Sequence, residues 1–258
     1  MSTTHRLIDL NADLGEGFGP WRMGDDDAML DIVTSANVAC GFHAGDPDIM
    51  AATFARAKAR GVAIGAHVAF PDLAGFGRRP MAMTPAEIER AVAYQIGAAQ
   101  ALAVCAGHRI TYVKAHGALA NIAEHDAATA DALARATHAV DPGLTLLAIA
   151  FSQQSRAGKD VGLRVAHEIF ADRAYTHEGR LQSRKEAGAV ITDATTAIAR
   201  VRAMLRAGAL ITADGAELPT PIDSICVHGD TPHAVEMAKA LRAALEADGL
   251  RLRAFAAP

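Results

Sequence analysis

The chain has 258 residues, 51% of them hydrophobic, and a formal net charge of -4 from 25 lysines and arginines against 29 aspartates and glutamates. That length suits one β/α barrel or a compact two-domain protein, with enough apolar residues for a large core. A slight acidic excess, with the cations spread along the chain, argues against nucleic acid or an anionic membrane as main partner.

Strand and helix signals alternate almost throughout. Leu7–Leu14 alternates apolar and polar residues, placing Asp9, Asn11 and Asp13 on one face and Ile8, Leu10 and Leu14 on the other. Gly24–Val33 reads as a short helix and Ala36–Phe42 as the second strand. Asp46-Pro47 caps a helix that runs from Pro47 to Arg60 and stops at Gly61. Val62–Ala66 is a third strand, and the capping box Thr84-Pro85-Ala86-Glu87 opens a helix reaching about Ala106. Ile110–Ala115, Leu144–Ala150, Arg164–Ala171 and Ile222–Val227 complete the predicted strands, with helices over Glu124–Val140, Thr192–Ala207 and from Thr231-Pro232 to Gly249. The pattern predicts a (β/α) barrel of seven strands, or a distorted one relative to eight, forming one domain over residues 1–258; the doubly wound open sheet is the alternative. Phe70–Met83 and Arg173–Ala189 read as long loops suited to lids or substrate contacts.

Four histidines fall at matching places after predicted strands: His43, His67, His116 and His228. In a parallel barrel all strand C-termini open on one face, so these imidazoles and Asp13 are expected to share one pocket there. Glu16 ends the same first segment, and Lys114 shares parity with His116, so its ammonium points into the barrel near the mouth. A buried ammonium needs an anionic substrate or an ion pair, for which Asp9 and Glu168 are the candidates. Asp13, His43, His67 and His116 are ligand types that zinc or another transition metal accepts, although no HExxH, HxH or CxxC spacing accompanies them. Arg78 and Arg79 in a glycine-rich loop, with Arg173 and Arg184, suit a carboxylate or phosphate. No P-loop is present, since Gly158-Lys159-Asp160 lacks its upstream glycine and Ser/Thr, and no Gly-x-Ser-x-Gly elbow occurs. Cys40, Cys105 and Cys226 form no CxxC and read as reduced thiols. With no signal-like N-terminus and no bilayer-length apolar run, the expected location is the cytoplasm, with no membrane association.

Several long segments, in order, resemble the LamB/YcsF family: Asp9-Leu-Asn11-Ala-Asp13-Leu-Gly15-Glu16-Gly, Ser35-Ala-Asn37-Val-Ala-Cys40-Gly41-Phe-His43-Ala-Gly45-Asp46, Phe76-Gly-Arg78, Val113-Lys114-Ala-His116-Gly117, Glu168-Ile-Phe170-Ala-Asp172-Arg173 and Cys226-Val-His228-Gly229-Asp230. The resemblance implies a barrel akin to the glycoside hydrolase/deacetylase barrels. It also implies the activity of the A subunit of a bacterial ATP-dependent 5-oxoprolinase. That reaction hydrolyses 5-oxo-L-proline to L-glutamate, coupled to ATP hydrolysis with Mg, together with B and C subunits. Val68, Ala115 and Ala120 depart from the family pattern of proline, proline and tyrosine. Such chemistry needs a base, proton transfer and anion contacts, for which Asp13, Glu16, Lys114, His116 and His228 are the catalytic candidates. Asn11, His43, His67, Arg78, Arg173 and Asp230 are the candidates for holding substrate. A metal-dependent deacetylase or amidohydrolase, and a non-catalytic lactam- or sugar-binding subunit, are the competing readings.

Overall fold

Polar–apolar alternation makes Leu7–Leu14 the first strand, β1, of a computed structural model that describes residues 7–183, 185–227 and 234–256. Next come α1 (Asp26–Leu30), β2 (Ser35–Ala39), α2 (Pro47–Arg60), β3 (Ala63–Val68), α3 (Pro85–Cys105) and β4 (Ile110–Ala115). They are followed by α4 (Gly117–His125), α5 (Ala127–Val140), β5 (Thr145–Ile149), α6 (Gln153–Asp160) and β6 (Arg164–Phe170). The last elements are α7 (Ala194–Ala207), β7 (Ala209–Ile211), β8 (Glu217–Pro219), β9 (Ser224–Val227), α8 (Ala234–Ala247) and β10 (Arg251–Leu252).

Parallel pairing runs from β1 through β2, β3, β4, β5 and β6 to β9, and β9 pairs back onto β1. Seven strands therefore close a barrel, as the sequence pattern predicts, and the closure excludes the open sheet. The short β7 and β8 form a separate antiparallel hairpin, while β10 adds two residues beside the start of β1.

The helix boundaries follow their local chemistry. Asp46 accepts hydrogen bonds from the Asp48 and Ile49 amides at the start of α2, and Gly61 ends that helix in the left-handed region at φ +67°. Thr84 and Glu87 form the expected reciprocal capping box of α3. The helix expected over Glu124–Val140 begins three residues later, as α5 at Ala127, because Asp126 has extended backbone and caps it through the Thr129 amide; α4, which Asp126 ends, was not expected. The sequence pattern does not announce α6 or the β7–β8 hairpin, because each is too short to build a periodic signal.

Ile8, Leu10 and Leu14 of β1 pack outward into the main core beneath the helices. The opposite face of β1 turns inward, where this barrel holds a polar network in place of the usual layers of branched apolar side chains.

Candidate active site

At the base of the barrel, Asp9 accepts hydrogen bonds from Thr34 and Ser35, both at 2.6 Å, and from Ser224. Burial outweighs these bonds and pushes its pKa up to about 6. One step higher, Asn11 donates to Ser224 at 2.7 Å and accepts from Asn37, and Asn37 also donates to Asp13 Oδ1 at 2.8 Å. The Tyr112 hydroxyl donates to Asn37 Oδ1 at 2.7 Å. This chain of amides and hydroxyls fixes the orientation of the Asp13 carboxylate.

Lys114 reaches into the same layer. Its Nζ lies 2.9 Å from Glu168 Oε2, 3.4 Å from Asp13 Oδ1 and 3.2 Å from Asn11 Oδ1. Burial works against its charge, yet the Asp13 and Glu168 carboxylates hold the ammonium well above the ordinary lysine pKa. Of the two ion-pair partners expected from sequence, Glu168 makes the contact; the hydroxyl groups around Asp9 satisfy that carboxylate instead.

Above this layer three imidazoles meet a second carboxylate. His67 is in β3, His116 immediately follows β4, and His43 lies in the turn after β2. Gly45, at φ +79°, closes that turn, and a Cβ there would stand 2.4 Å from the Ala39 carbonyl oxygen. Glycine is thus required for the chain to bring His43 back over the barrel. The His43 and His116 rings stack at 3.9 Å with an 8° interplanar angle, and His67 meets His116 edge-on at 4.8 Å. Glu16 Oε1 lies 3.2 Å from His43 Nε2 and 3.6 Å from His116 Nδ1. His116 Nδ1 is 3.0 Å from His67 Nε2, which in turn is 3.4 Å from Asp13 Oδ1. Burial, reinforced by His67, lowers the His116 pKa to about 3, and burial with the neighbouring rings drives His43 well below its ordinary value. Both are neutral at physiological pH.

The cluster opens into a cavity of about 670 Å³ whose walls include Asp13, Glu16, His67, Lys114 and His116. Arg78 and Arg173 also border it, along with Arg180, Lys185 and Glu124. Arg78 is steadied by the Phe76 ring, 5.0 Å from its guanidinium carbon, whereas Arg79 turns away to pair with Asp72. Arg173 is buried and donates to the Gln182 carbonyl, tying down the loop that follows β6. Asn11 and His43 lie just beneath and beside the cavity rather than on its wall. His228, Asp230 and Arg184 fall outside the described residues. Two departures from the family pattern, Val68 and Ala115, face each other in the β3–β4 register, and the third, Ala120, borders the cavity, where a tyrosine would fill space.

Sequence reasoning missed Asn37 and Tyr112 as orienting groups. Tyr112 shares inward parity with Lys114, so alternation along β4 was the available signal, and Asn37 stands in the family-like segment that leads to His43.

The LamB/YcsF family model matches residues 8–258. The chain belongs to the LamB/YcsF family. Along this family member's sequence, 60% of 249 residues are identical to the A subunit of 5-oxoprolinase from Azorhizobium caulinodans, covering 96% of this chain and 98% of that one. The crystal structure of the lactam utilization protein from Thermus thermophilus superposes with a TM-score of 0.91 at 44% identity, over 96% of this chain and 99% of that one. The catalytic domain of a peptidoglycan N-acetylglucosamine deacetylase from Eubacterium rectale has a TM-score of 0.52 at 11% identity, over 98% and 90% of the two chains, a likeness of fold alone. The expected likeness of fold to deacetylase-type barrels is borne out. Among the described residues no helix is long and apolar enough to cross a membrane.

Proposed function

We propose that this LamB/YcsF chain is the A subunit of an ATP-dependent 5-oxoprolinase that opens the lactam of 5-oxo-L-proline to L-glutamate. The observation that carries this reading is the near-complete alignment with proteins of that name, at 60% identity in the Azorhizobium relative. The site's chemistry supports it. A five-membered lactam resists attack by water, so transfer of the ATP γ-phosphoryl group to its oxygen supplies the leaving group and the driving force. Hydrolysis then needs a base for water, a proton donor for the ring nitrogen, and cations for the phosphate and the substrate carboxylate.

On this reading Asp13, oriented by Asn37 and paired with Lys114, is the base. His116, His67 and Glu16 stand beside it and position the water and the ring nitrogen, to which Asp13 returns the proton it takes from water. Arg78 and Arg173 hold the anionic ends of the substrate from the cavity wall, and Asn11 and His43 support the groups that face it. His228 and Asp230 belong to the same proposal. A cavity of about 670 Å³ is within the range of small-molecule sites and leaves room beside the lactam for a phosphoryl group. With no P-loop in the chain, ATP and Mg are bound in concert with B and C subunits, in the cytoplasm.

The test is glutamate formation from 5-oxoproline and ATP, by the chain alone and with its B and C partners. The proposal expects turnover only in the reconstituted complex. The second reading, a metal-dependent amidohydrolase, is favoured by the imidazole–carboxylate cluster, and ATP-independent hydrolysis by the isolated chain with added zinc would select it. Undiminished turnover of a complex carrying His116→Ala would point to a binding-only role.

A further inference from the structure

The tautomers of His67 and His116 are set from outside the cluster. His116 Nε2 lies 2.9 Å from the Phe76 carbonyl oxygen, and His67 Nδ1 lies 3.3 Å from the Lys114 carbonyl oxygen. A carbonyl only accepts, so each of these ring nitrogens carries the hydrogen. In a neutral ring the other nitrogen then presents a lone pair. For these two residues the remaining nitrogens are His116 Nδ1 and His67 Nε2, which face each other at 3.0 Å. Two lone pairs at that distance repel, and two carboxylates point the same way: Glu16 Oε1 is 3.6 Å from His116 Nδ1 and Asp13 Oδ1 is 3.4 Å from His67 Nε2. The centre of this cluster is therefore built for a cation.

We infer that Glu16, His43, His67 and His116 form a binding site for a zinc-type divalent transition ion. One ligand atom from each of the four side chains lies within 4.8 Å of the others, and all four side chains are buried. Bonds of about 2.1 Å to a tetrahedral ion put neighbouring ligand atoms about 3.4 Å apart. The observed separations of 3.0, 3.2 and 3.6 Å bracket that value. Two imidazoles, each donating its outer N–H to a backbone carbonyl, have the second-layer support that metal-bound histidines use. Nitrogen with carboxylate oxygen suits zinc or a neighbouring late first-row ion better than calcium or magnesium. The sequence placed Asp13 in such a set; the geometry assigns that place to Glu16 and leaves Asp13 beside the ion, paired with Lys114. An ion so placed, when bound, polarises an oxygen atom of a ligand in the cavity and makes water more acidic. The inference concerns the ligand set and does not depend on the identity of the substrate.

Metal binding to the purified full-length chain tests it directly. After chelator treatment and exchange into metal-free buffer, the chain is titrated with Zn²⁺ while heat is recorded, and with Co²⁺ while visible absorption is recorded. The inference expects one Zn²⁺ per chain and the intense absorption of four-coordinate Co²⁺. Glu16→Gln and His116→Ala should each weaken binding by at least 10-fold, while His177→Ala, at the surface, leaves it unchanged. If those two variants fail to fold, nitrogen-15 NMR of the wild-type imidazoles replaces them, with Zn²⁺ expected to shift His67 Nε2 and His116 Nδ1 together. Absence of stoichiometric binding overturns the site. So does binding undiminished in both folded variants, or His67 and His116 ring-nitrogen signals that stay in place when Zn²⁺ is added.

Discussion

Replacing Lys114 by methionine tests the polar interior most sharply. The Lys114 ammonium lies 2.9 Å from Glu168 Oε2 and 3.4 Å from Asp13 Oδ1, and Glu168 is only 2% exposed. Methionine nearly conserves the stem but strands the Glu168 carboxylate, which has few other donors. Among the described residues, the Asn11 amide at 3.4 Å still donates to it. Removing one partner of a buried pair costs about 3–5 kcal/mol, most of it the penalty on the charge left behind. Such a loss is a large fraction of the 5–15 kcal/mol that typically stabilises a folded protein. Removing both charges should cost much less. Urea unfolding of wild type, Lys114→Met, Glu168→Gln and the double variant forms a cycle whose coupling should be at least about 1.5 kcal/mol, with the double variant more stable than Lys114→Met. Additive effects, or a Lys114→Met chain within about 0.5 kcal/mol of wild type, would refute the argument that this pair holds the barrel interior together.

Gly65→Ala places a Cβ 2.2 Å from Tyr112 Cε2, so urea unfolding should register a loss of about 1–3 kcal/mol, and turnover should fall as Tyr112 releases Asn37. Asp9 gives a signature in pH. Its folded-state pKa of about 6 exceeds the ordinary 3.8, so its ionisation opposes folding; the penalty is absent at low pH and complete above about pH 6. The difference of about two pKa units corresponds to about 3 kcal/mol. Between pH 4 and pH 7 wild type should therefore lose stability relative to Asp9→Asn by roughly that amount, as read from urea midpoints; parallel profiles would contradict the shift. Arg78→Ala removes a cation from the cavity wall and should raise KM for 5-oxoproline about 10- to 100-fold in the reconstituted complex, with a smaller change in kcat.

The barrel was legible because its signals are local and repeated. Leu7–Leu14 alternates cleanly, Asp46-Pro47 and Thr84–Glu87 carry their own capping chemistry, and Gly61 marks a stop. Parity along β1 and β4 put Asp13 and Lys114 on the inner face, and strand-end position brought His43, His67 and His116 together. What the sequence concealed depends on contacts between strands distant along the chain. Lys114 pairs with Glu168 rather than Asp9 because barrel closure brings the β4 and β6 side chains within reach across the interior, whereas Asp9 is already taken up by Ser35, Thr34 and Ser224. Glu16 takes the place beside the histidines because the turn after β1 folds it back over His43, a bend that no periodicity encodes. Arg79 was indistinguishable from Arg78 in sequence, and only the local pairing with Asp72 separates them. The break at Asp126 was hidden because apolar and alanine-rich residues continue on both sides of it.

The central claim is that the barrel-mouth cluster of this chain performs the lactam hydrolysis, and Asp13→Asn in the reconstituted complex tests it most directly. Asparagine keeps the size of the side chain and a carbonyl oxygen for the Asn37 donor at 2.8 Å, but it cannot take a proton from water. The account predicts that the variant co-elutes with the B and C subunits while ATP-dependent glutamate formation falls by at least about 100-fold, the scale of lost general-base catalysis. Wild-type glutamate production by the Asp13→Asn complex would contradict it.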